Sequence, residues 1–221
     1  MGSEVQDRPR LTPKGERTRA RIVEAAARLI YERGVAGTTL DDVKAAAEVS
    51  GSQMYHYFPD KDELVAAVIA HQADVIAGRQ RQADLGSAEG ITAWRDMVIA
   101  QARSSEGHGG CPLGSLAGQL AETDPRARAL LASGFAQWQA AIGDGLRRLY
   151  DAGLLPDGTD PDAFAVTLLA TLQGGLLLAQ IQRDARPLET AVGTLLELAR
   201  SRRPDAPAGA EPPGSQNPAR D

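Results

Sequence analysis

Cysteine is almost missing from this chain. A single one, Cys111, stands in 221 residues, so no intrachain disulfide can form and a reducing compartment, the cytoplasm, is expected. Histidine is scarce as well, at His56, His71 and His108. With one thiol these give no metal-ligand spacing, and no cofactor is expected. The polar N-terminus MGSEVQDRPR carries no apolar run of the kind a signal peptide needs. No G-x-x-x-x-G-K-[ST] phosphate loop occurs. Cys111 and His108 share a glycine-rich turn with no third residue to orient them, which argues against a thiol nucleophile and against an enzyme. Alternating period-2 patterns are lacking, so strands are not expected.

Long apolar runs are also few. Residues 163–182, AFAVTLLATLQGGLLLAQIQ, are uncharged over a length that could span a bilayer. Thr167, Thr171, Gln173, Gln180 and Gln182 interrupt the run and no aromatic belt flanks it, so a buried or dimer-forming helix is expected and no membrane. The net charge of −5 seems to disfavour nucleic acid. It conceals an asymmetry. Residues 1–61 hold ten Lys/Arg against nine Asp/Glu, and within 8–33 eight basic residues face only Glu16, Glu24 and Glu32. The N-terminal end is therefore the part suited to a polyanion.

Alanine and leucine dominate what is present, and the chain reads as all-α. A first helix is expected over 14–33, with Ile22, Ala25, Ala26, Leu29 and Ile30 at helical spacing and Gly34 as its stop. Three helix starts follow in short order. Thr39 precedes Asp42, Ser50 precedes Gln53 and Asp60 precedes Glu63 by the spacing of a capping box. They predict helices at 40–47, 51–57 and 61–82. Further on, Asp124-Pro125, Asp160-Pro161 and Pro187 announce others, giving expected helices at 90–104, 113–122, 125–151, 161–183 and 187–202. The tail from 203 on, rich in Pro, Gly and Ala, is expected to be disordered.

Aromatic residues number three Phe, two Trp and four Tyr, yet Tyr55, Tyr57 and Phe58 crowd into VSGSQMYHYFPDKDEL, residues 49–64, beside His56. Two short helices joined by Glu48, Val49 and Ser50 have the layout of a helix-turn-helix. Leu40, Val43, Ala47, Val49 and Met54 would form its small core. Gly51, Ser52, Gln53, Tyr55 and His56 would remain outward. Small or hydrogen-bonding residues suit entry into a major groove. Gln53 could pair with adenine edges, and Tyr55, His56 and Tyr57 could reach phosphates. Lys61 stands in the first turn of the next helix, where backbone N–H groups also favour an anion. Phe58, before Pro59, is expected to plug the core.

The stretch GTTLDDVKAAAEVSGSQMYHYFPDKDELVAAVI resembles the DNA-binding domain of tetracycline-repressor (TetR) family regulators, over roughly residues 14–65. The resemblance implies that Thr38 or Thr39, Ser52, Gln53, Tyr55, Tyr57 and Lys61 fall where members contact operator DNA. The cap Ser50 and neighbouring His56 join this DNA-facing set. Gly51 departs from the family's usual basic or small polar residue. GHGGCPLGSLAGQLAETDPRAR at 107–128, F-x-x-W at 135–138 and LQGGLLLAQ at 172–180 resemble the LmrA/YxaF-like branch. That implies a homodimeric repressor released from double-stranded DNA by a small aromatic or cationic effector. The alternative within the same fold is an activator, or a regulator answering to a protein partner.

The expected division is a DNA-binding domain at 14–62 and an effector-binding and dimerisation domain at 63–202. Candidate pocket residues are Trp94, Met97, Cys111, Leu113, Leu116, Phe135, Trp138, Ile142, Phe164, Gln173 and Leu176, apolar or aromatic walls with a few polar groups. Trp94, Trp138 and Gln173 stand out because buried indole and amide donors need partners. For the dimer, Leu168, Leu172, Leu176 and Ala179 with Leu188, Val192, Leu195, Leu196 and Ala199 are expected to build a four-helix interface. Gly174 and Gly175 would let a backbone come close.

Overall fold

A computed structural model of the protein describes residues 11–201, so the expectation for the tail from 203 on lies outside the described residues. Among these the chain forms nine helices and no strand: α1 (Pro13–Arg33), α2 (Leu40–Ala46), α3 (Gly51–Tyr57), α4 (Lys61–Gln82), α5 (Ala88–Ser104), α6 (Pro112–Leu120), α7 (Pro125–Asp151), α8 (Pro161–Gln182) and α9 (Arg186–Ser201). The expected starts at 90, 113 and 187 fall one or two residues inside the observed helices.

Local chemistry explains the boundaries. Thr12, Asp60, Ser87, Asp124 and Asp160 each cap a helix by accepting backbone N–H bonds with a side-chain oxygen, and proline occupies the first turn of α1, α6, α7 and α8. Cys111 does the same for α6 with sulfur, its Sγ accepting from Gly114 N at 3.3 Å.

α1, α2 and α3 close around Ile22, Ala26, Val43, Ala47, Met54 and Phe58, all essentially sealed from solvent. Phe58 is the expected plug, and the Arg19 guanidinium lies 5.2 Å above its ring. α4 begins three residues after α3 ends and runs unbroken into the larger helical body. There it packs along α7, while α8 rests on both α7 and α9. The Arg126 guanidinium donates to Glu63 at 2.8 Å, which ties the start of α7 to the start of α4.

α8 is long and apolar enough to cross a membrane, yet a third of its most apolar window is buried inside the protein. Leu168, Leu172 and Ala179, expected at a dimer interface, are instead inside the subunit, as are Leu188, Val192 and Leu196 of α9. Leu176, Leu195 and Ala199 are half-buried. The reason is Gly175: a Cβ there would lie 2.9 Å from the Leu188 Cα, so only glycine lets α9 come this close. Gly174, one residue earlier, faces open space.

The glycine-rich segment between α5 and α6 is a junction. Gly107, Gly109 and Gly110 all have positive φ. Gly107 lies against the Ala179 carbonyl of α8, Gly110 against the Gln180 carboxamide of α8, and Gly109 directly under the Tyr31 hydroxyl of α1. Partial burial, and next the nearby Cys111 thiol, hold the Tyr31 phenol above its usual pKa. Gln119 of α6 adds a second tie, its Oε1 accepting from Val35 N at 2.8 Å. The loop and α6 thus join α8 to the end of α1.

Gly109→Ala should destabilise the fold by about 2–3 kcal/mol, from a left-handed alanine plus overlap with Tyr31. Adding Tyr31→Ala should recover part of that loss, which a double-mutant cycle of chemical denaturation would show as non-additivity.

Candidate nucleic-acid interface

α2 and α3 each start on a reciprocal exchange between side chain and backbone. The Thr39 hydroxyl accepts from Asp42 N at 3.1 Å while the Asp42 carboxylate accepts from Thr39 N at 2.9 Å. The Thr39 hydroxyl and, next, its backbone N–H hold the Asp42 carboxyl below the usual carboxylate pKa. At α3, Ser50 Oγ accepts from Gln53 N at 3.2 Å and Gln53 Oε1 accepts from Ser50 N at 3.0 Å. Between the helices Glu48 takes a left-handed conformation with φ of 52°, a position where most residues are strained.

Thr39, Ser50, Ser52, Gln53, Tyr55 and His56 are all solvent-exposed. Tyr55, at 58% exposure, is among the most exposed large side chains. Lys61 is half-buried at the first position of α4. Lys44, which the sequence did not single out, lies near Tyr55 and pairs with Asp41. Its place on the last turn of α2 becomes visible only when α2 and α3 are set together. Lys14, Arg17, Arg21 and Arg28 are exposed along α1, so the basic stretch of the sequence does reach solvent.

Two expected contacts change. Thr38 is buried at 2% exposure and its hydroxyl donates to the Gly34 carbonyl at 2.9 Å, so it closes the α1–α2 turn and is withdrawn from the DNA-facing set. Tyr57 is half-buried, its hydroxyl close to Gly15 at the start of α1 and its ring edge-on to His56 at 5.0 Å. Gln53 is exposed as expected, with its carboxamide oxygen drawn into the α3 cap.

The expected effector residues are gathered differently from the expectation. Trp94, Cys111, Leu113, Leu116, Trp138 and Ile142 are buried core. Phe135, Phe164, Gln173 and Leu176 are half-buried, and Met97 stands on the surface at 54% exposure. No described cavity collects them. A water-sized space of about 10 Å³ between α1, α4 and α6 touches Leu116 alone of the set, beside Tyr31, Gln72 and Gln119. Larger grooves, about 580 Å³ between α5 and α9 and about 480 Å³ at α8–α9, are open to solvent and lined by other residues. Trp94, Leu113, Trp138 and Ile142 lie in the packed interior, which the same residue types form as readily as a pocket wall. Two of the donors singled out in the sequence have partners. Trp138 Nε1 donates to Gln80 Oε1 at 3.3 Å, and Gln173 Nε2 donates to Cys111 Sγ at 3.4 Å. Gln80, unremarked in the sequence, is buried with its Nε2 unpaired among the described residues.

A capped helix pair whose second member shows its polar face to solvent, set on a helical body, defines a helix-turn-helix DNA-binding protein. Residues 22–68 match the family model described as bacterial regulatory proteins, TetR family, and residues 87–193 match the C-terminal domain of LmrA/YxaF-like transcriptional regulators. An HTH-type transcriptional regulator of Mycobacterium tuberculosis is 31% identical over 175 residues, 77% of this chain and 88% of the relative. The HTH-type transcriptional repressor DhaR of Mycobacterium sp. strain GP1 is 24% identical over 180 residues, 81% of this chain and 90% of the relative. The crystal structure of a TetR transcriptional regulator from Chloroflexus aurantiacus is 27% identical, with a TM-score of 0.69, over 84% of this chain and 96% of that one. The chain belongs to the TetR family of transcriptional regulators.

Ser50→Ala removes the hydroxyl that starts α3 and should cost about 1 kcal/mol in chemical denaturation.

Proposed function

We propose that the protein acts as a homodimeric repressor, released from an inverted-repeat operator by a small hydrophobic or aromatic effector. The observation that carries the proposal is an unpartnered stripe on α8. Ala163, Val166, Ala170, Gly174, Leu177 and Ile181 recur at helical spacing and are all exposed. Leu177 and Ile181 are exposed by 56% and 69%. Small residues in the middle of the stripe permit close helix approach, and an apolar face of this length is costly to leave wet. A second copy meeting it about a two-fold axis would bury the same stripe from both sides.

The two α3 helices would then enter major grooves about 34 Å, or a multiple, apart. α4 connects that geometry to the core, because it starts beside α3 and reaches Gln80 and Trp138 at its far end. The unpaired Gln80 amide offers an effector a buried donor. Opening the core there would shift α4 and with it the spacing of the readers, to an extent set by the effector's preference for the open state, about 1–3 kcal/mol. The name of the DhaR relative supports repression.

Leu177→Glu should convert the dimer to a monomer in sedimentation velocity and weaken operator binding by about a hundredfold or more, since the second half-site is lost. A variant that stays dimeric moves the interface elsewhere. Repression itself is checked with a reporter whose promoter carries the bound site: its output should fall when the protein is expressed, and a rise would indicate activation. Lys61→Ala should weaken specific and random duplexes alike and lower the slope of log K against log salt by about one; loss confined to the specific duplex would make Lys61 a base reader.

A further inference from the structure

The cap that starts α3 also orients the side chain best placed to read a base. Gln53 is exposed near the N-terminal end of a recognition helix, the end that meets base edges in this motif. Its carboxamide is not free to turn. Oε1 accepts from Ser50 N at 3.0 Å, and the opposite bond, Gln53 N to Ser50 Oγ, holds the same two residues together. Ser50 Oγ is further bonded to Ser52 Oγ at 3.0 Å, so the small polar cluster is closed on itself. Flipping the amide would bring its NH2 group against the Ser50 N–H, donor against donor. The oxygen therefore stays on the backbone side, and the atom left outward is Nε2 with its two hydrogens.

We infer that Gln53 reads the operator as a donor, selecting a base that presents only acceptors at that point in the major groove. Guanine, with O6 and N7 side by side, fits best. Adenine is disfavoured because its N6 amino group stands beside N7 and would oppose the donor. Pairing with adenine in the usual bidentate way would pull Oε1 from its cap and forfeit the bond that starts the helix.

Glutamate at this position separates the reading group from the capping group. A carboxylate at the third helical position completes a capping box as well as glutamine does, but presents an acceptor where the amide presented a donor. The experiment is selection from a randomised double-stranded oligonucleotide library with the full-length wild-type chain and with Gln53→Glu, together with thermal melts of both. The wild type should enrich a G·C pair at one position of each half-site, by about fivefold to tenfold over an A·T pair, the worth of one hydrogen bond. In Gln53→Glu that position should change to cytosine, whose N4 amino group is a donor, while the other positions and the melting temperature hold. An A·T pair at the changed position in the wild type, or a selected sequence identical in both proteins, overturns the inference. Should the added charge abolish all binding, Gln53→Leu decides: preference relaxed at a single position supports it, and an unchanged sequence overturns it. A wild-type chain that enriches no sequence at all overturns α3 as a base reader, a failure distinct from a wrong assignment to Gln53.

Discussion

The DNA-reading end depends on the two exchanges between side chain and backbone that start α2 and α3. Helices of seven residues have too few internal hydrogen bonds to hold themselves in water. In each, two of the unsatisfied N–H groups are met by side chains of the same segment. The caps thus do for these helices what length does for α4 or α7. They also set what the surface can say to a ligand, because hydroxyls and a carboxamide used to start a helix are no longer free to turn.

The larger helical body works on a different constraint, the distance of closest approach. α9 lies on α8 because Gly175 has no side chain to hold Leu188 off. The loop between α5 and α6 lies under Tyr31 and against α8 for the same reason. These contacts mechanically link the helix proposed to face a second subunit with the first helix of the DNA reader. α4 is the other link, and the α4–α7 seam it enters is dense. An effector of the kind proposed would have to open this interior, where Gln80 and Trp138 are buried.

Much of the helical order was legible in the sequence because helix starts are local events. Thr39, Ser50, Asp60, Asp124 and Asp160 announce their helices within three residues, and the structure has all five in use. Exposure at Ser52, Gln53, Tyr55 and His56 followed from the same register. Thr38 and Thr39 could not be told apart in this way: both are threonines at a helix start, and only the position of Gly34 seals one of them. The face of α8 was misassigned for a related reason. The helix is apolar nearly all round, so periodicity alone could not say which side meets α7 and α9 and which meets solvent.

The sequence by itself determined the class of protein, the helix boundaries and the polar face of the reader, because capping, proline placement and helical period act over three or four residues. Tertiary structure alone decided which leucines of α8 are inside, that Lys44 comes near Tyr55, that Trp94, Trp138 and Ile142 are core while Met97 is exposed, and that Gln80 keeps an unpaired amide. Each of these depends on residues far apart in the chain, and no local pattern carries the distance between them.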